Sequence, residues 1–220
     1  MIKSDTFKFL NELAANNNRD WFQVNKGRHD EARLNMLEFA GNVITGLSKY
    51  DSTIPSGLDP KDCVMRIYRD VRFSKVKTPY KNNFGAGISQ NGKKFNGAGY
   101  YLHIQPGGSF IAGGCWMPEA DLLKAIRQEI DYNGTDFRSI IEDPSFRKYY
   151  GSLESEYKLK TCPKGYESDH PEIEFLKLKS FTFSHMLNNA ELTSSGAVEL
   201  VVNGFAQLNP FIAFLRNATS

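Results

Sequence analysis

The chain has 220 residues, 40% apolar and 24% charged, which suits a globular protein with its own core and excludes a disordered or fibrous one. A formal net charge of +2 argues against a generic polycation that coats nucleic acid. Three cysteines (Cys63, Cys115, Cys162), odd in number and without a CxxC pair, exclude a disulfide framework.

The first residues, MIKSDTFKFLNEL, carry no apolar signal region, and no apolar run approaches a membrane span. With reduced thiols, this predicts a cytoplasmic protein with no membrane partner. Phe7, Leu10, Leu13 and Ala14 share one face of a first helix, with Ser4 or Asp5 as its cap. Three asparagines, Asn16, Asn17 and Asn18, stop it, and Asp20 is the expected cap of a second helical region. Leu37, Ala40, Ile44 and Leu47 extend the helical spacing, so a long helix is predicted over about 28–48, with His29 on an exposed face.

Residues 64–73 alternate: Met65, Ile67, Val71 and Phe73 are apolar, while Arg66, Tyr68, Asp70 and Arg72 fall between them. Residues two apart on a strand share a face, so a strand with one apolar and one charged face is expected. Arg69 breaks the pattern by falling on the apolar face, where a guanidinium needs a carboxylate or several carbonyls. Pro79 ends the strand, because it supplies no ladder donor and holds Thr78 extended. Lys75, Lys77, Tyr80 and Lys81 then lie on a loop at its end.

A glycine-rich β region follows. Residues 84–89 suit a strand, and 99–105 and 109–116 suit a hairpin across Pro106, Gly107 and Gly108. Gly97, Gly99, Gly113 and Gly114 mark bulges or close approaches, unless aromatic neighbours simply pack over them. Pro118 opens a helix through Leu122, Ile126 and Ile130, closed by Gly134. Thr135 or Asp136 caps a shorter helix, Pro144 adds a turn, and Asp169, His170 and Pro171 open a short helical piece. Residues 178–186 alternate as a strand. Ser194 or Ser195 caps a helix with Val198, Val201, Val202 and Phe205, and Asn209 and Pro210 start a separate last one. The expectation is an α+β fold: a single domain over residues 1–220, with a mostly antiparallel sheet bracketed by N-terminal and C-terminal helices.

Between Lys61 and Lys81 stand seven Lys/Arg against two Asp, a surplus of five cations in a chain whose net charge is +2. Guanidinium forks with lysines and a tyrosine hydroxyl suit phosphate or carboxylate. The expected ligand-binding residues are Arg66, Arg69, Arg72, Lys77, Tyr80, Lys81 and Tyr101. Asp70 and His170 are the acid/base candidates, with Asp169 beside His170 able to fix its tautomer. His103 and His185 read as core or rim histidines. No HxxxH, HxH or HExxH spacing suggests a metal, and neither a Walker A motif nor GxGxxG suggests a nucleotide cofactor, so no cofactor is expected. No GxSxG motif is present, and no cysteine lies in an activating pattern.

Two other readings stand beside the small-anion one. The stretch can belong to a nucleic-acid-binding module, in which exposed Tyr80 and Phe84 stack on bases while Lys75, Lys77, Lys81, Lys93 and Lys94 meet phosphates. It can also be a purely structural Arg/Asp network.

Several runs together carry a family resemblance: FL at 9–10 with Leu13, NNRDWF at 17–22, RIYRDVRFSK at 66–75 and KTPYK at 77–81. To these add GYYL at 99–102, Gly114, Trp116, Pro118, PKGY at 163–166, DHP at 169–171 and LK at 178–179. On them the chain resembles a widespread, mainly bacterial family of conserved proteins of unknown function, along nearly its whole length. Val76 departs from the pattern, which leads one to expect a polar or acidic residue there. The resemblance implies one compact α+β domain and no particular activity, cofactor or catalytic residue.

Overall fold

Helical periodicity dominates the first fifty residues, and the computed structural model, which describes residues 1–72, 77–95 and 97–218, turns it into three helices. These are α1 (Ser4–Ala15), α2 (Arg19–Val24) and α3 (Lys26–Leu47). Phe7, Phe9, Leu10 and Leu13 are buried on α1, while Ala14 stays exposed. Along α3 the buried stripe is Met36, Phe39, Ala40, Val43, Ile44 and Leu47. The caps fall earlier than the sequence suggested. Lys3 occupies the N-cap position of α1 without a side-chain cap. Asn18, not Asp20, caps α2, its Oδ1 accepting from the Trp21 amide at 2.9 Å. Asn16 thus ends one helix and Asn18 starts the next.

A short helix, α4 (Pro60–Cys63), begins with proline at its first position, and the Asp59 carboxylate accepts from the Lys61 amide at 2.9 Å. The sheet consists of β1 (Phe84–Ile88), β2 (Gly99–Ile104), β3 (Ser109–Cys115) and β4 (Phe181–Leu187). It is antiparallel in the order β1-β2-β3-β4, and the fold is α+β. Gln105 and Ser109 close the β2–β3 hairpin, the Gln105 amide donating to Ser109 Oγ at 3.0 Å and that hydroxyl to the Gln105 carbonyl at 2.8 Å.

The strand expected over 64–73 does not form among the described residues. The described part of this segment makes only isolated antiparallel bridges, Val64 with Ala86 and Tyr68 with Tyr80. Pro79 offers no amide, so the pairing of 67–69 with 79–81 stops after the Arg69-to-Pro79 and Lys81-to-Ile67 bonds. The alternation nevertheless holds from Met65 to Arg72: Ile67 is buried and Met65, Arg69 and Val71 are half-buried, whereas Arg66, Tyr68, Asp70 and Arg72 are exposed; Val64, on the exposed parity, is buried against the pattern. Phe73, Lys75 and Val76 lie outside the described residues.

Further along come α5 (Ala120–Tyr132), α6 (Gly134–Ile141), α7 (Pro144–Tyr150) and α8 (Ile173–Leu176). Gly134 opens α6 instead of closing α5, and neither Thr135 nor Asp136 is its cap. A Cβ at Gly134 would sit 2.8 Å from Glu172 Cγ, so the glycine serves close packing. A further short helix, α9 (Asn189–Thr193), has a reciprocal capping box between Asn188 and Glu191.

The last helix, α10 (Ala197–Asn217), is continuous through Pro210, where two helices were expected. A proline inside a helix costs about 3 kcal/mol. Burial of Val201, Phe205, Leu208, Phe211, Ile212 and Leu215 outweighs that cost, since each such side chain contributes roughly 1.5–3 kcal/mol. Contrary to expectation, α10 is also long and apolar enough to cross a membrane, with a mean hydropathy of 1.4, but half of that window is buried inside the protein.

The chain groups into two compact units. The first comprises Met1–Lys94, Tyr101–Ile111 and Met186–Ala206; the second comprises Phe95–Tyr100, Ala112–His185 and Gln207–Ser220. Phe9, Phe22, Phe39, Phe84 and Phe205 lead the core of the first, and Phe137, Phe181, Phe183, Phe211 and Tyr100 that of the second.

Candidate functional site

Three consequences of local sequence meet in the first unit. On α3, His29 and Arg33 are four residues apart and therefore share a helix face. Alternation turns Arg66 and Tyr68 outward on either side of the buried Ile67, and the Lys81 amide donates to the Ile67 carbonyl at 2.8 Å. Gly92 makes a tight turn at φ +62, where a Cβ would lie 2.5 Å from the Asp62 carbonyl oxygen. That turn delivers Lys93 to α4, where its Nζ donates to the Lys61 carbonyl at 2.8 Å and the Val64 carbonyl at 3.3 Å. The result is a cleft of about 460 Å³ lined by His29, Arg33, Lys61, residues 64–68, Lys81 and Lys93.

Among the described residues, five cations line this cleft and no carboxylate does. Among the described residues, none of Arg33, Lys61, Arg66, Lys81 and Lys93 forms an ion pair with a carboxylate. Burial, and then Arg66 and Arg69, push the Lys81 ammonium below its usual pKa. Like charges gathered around one cleft repel one another, and burial weakens the screening of that repulsion. An anion in the cleft would relieve that repulsion, so the arrangement is suited to holding one.

His29 is buried, not exposed as its place on the long helix suggested. Its ring lies among those of Phe9, Phe22 and Phe84, with centroids 5.9, 5.1 and 6.2 Å away. Nδ1 is 2.9 Å from Asp30 Oδ1, and Lys26 Nζ holds the other Asp30 oxygen at 2.8 Å. Lys26, and then His29, keep the Asp30 carboxyl below its usual pKa, so it is ionised and only accepts. The hydrogen therefore sits on Nδ1, and Nε2 of the neutral ring carries a lone pair. Burial lowers the pKa of His29, which favours that neutral form. Nε2 is buried and has no hydrogen-bond partner among the described residues, a state that costs about 1–3 kcal/mol.

Of the residues singled out by sequence, Arg66 and Lys81 line the cleft. Arg69 is half-buried, and its guanidinium donates to Thr78 Oγ1 at 3.4 Å; the carboxylate partner that full burial would demand is not needed. Arg72 and Asp70 form an exposed fork, Nε to Oδ1 at 3.0 Å and Nη2 to Oδ2 at 2.7 Å. Arg72 holds the Asp70 carboxyl below its usual pKa, the opposite of what a general base requires. Lys77 folds back on its own loop, donating to the Val71 carbonyl at 2.9 Å.

Tyr80 and Phe84, the stacking platforms of the nucleic-acid reading, are both buried. Tyr80 stacks on Phe22 with centroids 4.0 Å apart, and its backbone is clamped by the Asn17 amide at 3.0 and 3.1 Å. The exposed ring on the cleft is instead Tyr68. Tyr101 lies outside the cleft lining, in a ladder on β2: its hydroxyl is 3.1 Å from His103 Nδ1, and His103 Nε2 is 3.0 Å from Gln105 Oε1.

His170 belongs to the second unit and is not a cleft residue. Its carboxylate partner is Asp131, 2.9 Å from Nε2, and not the neighbouring Asp169. The Glu172 amide donates to its Nδ1 at 3.0 Å, so both ring nitrogens are used. His185 stacks on Tyr149 and bonds its carbonyl, a rim role as expected. Among the described residues, no three His, Cys, Asp or Glu side chains converge as metal ligands. His29 and Arg33 are cleft-lining residues that sequence reasoning missed; their i, i+4 spacing was the available signal.

A family model described as conserved hypothetical protein (DUF2461) matches residues 5–214, in agreement with the resemblance drawn from the motifs. No curated protein and no solved structure matches the chain.

Proposed function

The chain belongs to this DUF2461 family of conserved hypothetical proteins, and for it we propose binding of a small phosphate- or carboxylate-bearing ligand in the cationic cleft of the first unit. The observation that carries the proposal is the convergence of Arg33, Lys61, Arg66, Lys81 and Lys93 on one concave site without a carboxylate. Surface cations normally scatter or pair; five that face each other are stabilised by an anion between them. The cleft volume suits a small molecule. Neither Asp70 nor His170 lines it, so the proposal is one of binding and assigns no chemical step. We place the protein in the cytoplasm, on the support of three free thiols, two of them buried with pKa pushed up to about 11.

Isothermal titration with phosphate and with a small dicarboxylate tests this. Saturable binding that is lost in Arg66→Ala is expected, and absence of binding to both anions would defeat the proposal. A second reading, single-stranded nucleic acid, draws on the exposed Tyr68 ring beside the same cations. It predicts oligonucleotide binding that weakens steeply with salt and with Tyr68→Ala.

A further inference from the structure

We infer that the ligand of the cationic cleft is a nucleoside polyphosphate, with its base on the Tyr68 ring and its phosphates among the cations. This rests on the anion reading above and names the class of ligand. Charge is the first ground. Among the described residues, Arg33, Lys61, Arg66, Lys81 and Lys93 line the cleft and no carboxylate does. A phosphate monoester carries about −1.5 to −2 at neutral pH, so a single phosphate offsets fewer than half of these cations. Each further phosphate in a chain adds roughly one more charge, and a di- or triphosphate comes closer to balance.

The second ground is an aromatic ring. Tyr68 is 51% exposed and lines the same cleft as Arg66, two residues before it. The buried rings of Tyr80 and Phe22 stand behind it, with centroids 5.4 and 6.1 Å away. Backbone bonds from the Arg69 amide to the Pro79 carbonyl, 2.9 Å, and from the Lys81 amide to the Ile67 carbonyl, 2.8 Å, fix the chain on either side. The ring is held but not covered, so a flat ligand group can stack on it at little ordering cost. Half-buried Met65 adds apolar lining that a free phosphate cannot use. Size agrees: about 460 Å³ lies in the range of small-molecule sites and far exceeds what inorganic phosphate fills. The same volume favours one nucleotide over a strand, which needs a groove several nucleotides long. The sequence has neither a Walker A motif nor GxGxxG, so side chains instead of a glycine loop hold the phosphates.

The test is isothermal titration, free of divalent cations, with ADP, AMP, pyrophosphate and a short single-stranded oligonucleotide. ADP is expected to bind about tenfold tighter than pyrophosphate, the gain from one base stacked on an aromatic ring. It is also expected to bind about tenfold tighter than AMP, the gain from one more phosphate among the cations. Equal affinity for ADP and pyrophosphate would overturn the inference and leave the anion site standing. Equal affinity for ADP and AMP would overturn the polyphosphate. Tighter binding of the oligonucleotide than of ADP would overturn it in favour of the strand, and binding by none of the four would overturn the anion site as well.

In Tyr68→Ala the ratio of ADP to pyrophosphate affinity should fall to about one, whereas Tyr68→Phe, which keeps the ring, should retain it. A ratio preserved in Tyr68→Ala would contradict the role of this ring. If that variant does not fold, the ratio in the unmodified protein decides the matter alone.

Discussion

Lys81 shows what a functional arrangement costs at the level of one residue. Its charged form is disfavoured by burial and by Arg66 and Arg69, so its pKa in the folded chain lies below the ordinary lysine value it has when unfolded. Between those two values the unfolded state binds the extra proton and stability rises with pH. Below the folded value the penalty is fully present. Lys81→Met should therefore leave the melting temperature unchanged or raise it, while anion affinity falls at least about tenfold. A thermal melt and a titration on the same variant check both halves.

His29 gives a second pH signature. Its depressed pKa means that the unfolded chain takes up the proton first as pH falls below about 6.5, so stability drops from there through the folded pKa. Denaturation midpoints measured across that window should fall with acid in the unmodified protein and less steeply in His29→Phe; equal slopes would contradict the buried neutral ring. Asp30, whose pKa is lowered, loses its contribution in a separate window at lower pH.

At the scale of elements, turns and caps position the cleft more than strand pairing does. Gly92 is its hinge: its positive φ and its closeness to the Asp62 carbonyl leave no room for a side chain. Gly92→Ala should cost about 1–3 kcal/mol and weaken anion binding by moving Lys93, measurable by chemical denaturation and titration together. Helix α10 offers the converse. Pro210 is exposed, and Pro210→Ala restores one helical hydrogen bond, so a gain of about 1–3 kcal/mol is expected in the same denaturation assay.

These elements also show what was legible in the sequence and what was not. Period-2 alternation correctly assigned inside and outside at Ile67 and Arg66, because that depends only on neighbours two apart. It did not reveal that the strand reduces to two bridges, which depends on a partner containing Pro79. Tyr80 looked like a binding group because it stands among lysines, yet Phe22 on a distant helix stacks on it. His29 is hidden for the same reason: aromatic rings from three separate elements bury it, and no local pattern announces them. Pro210 misled because a strong local rule met a larger tertiary term. The Asn188/Glu191 capping box, by contrast, was readable from its three-residue spacing and was passed over.

Over the whole molecule, charge is distributed unevenly. A chain with net charge +2 gathers five cations around one cleft, so the local potential far exceeds what the total implies. The ends of the cleft lining come from α3, α4, the bridged segment and the turn before Lys93, all within one compact unit, so ligand binding should stabilise native structure by mass action. The most direct test is the melting temperature with hydrogen phosphate, in the unmodified protein and in the Arg66→Ala, Lys81→Met double variant. At one hundred times the dissociation constant a ligand adds about 2.7 kcal/mol, which is roughly 5–10 °C for a chain of this size. A rise of that order in the unmodified protein, absent from the double variant, is the predicted result; no rise in either, or an equal rise in both, would contradict an anion site in this cleft.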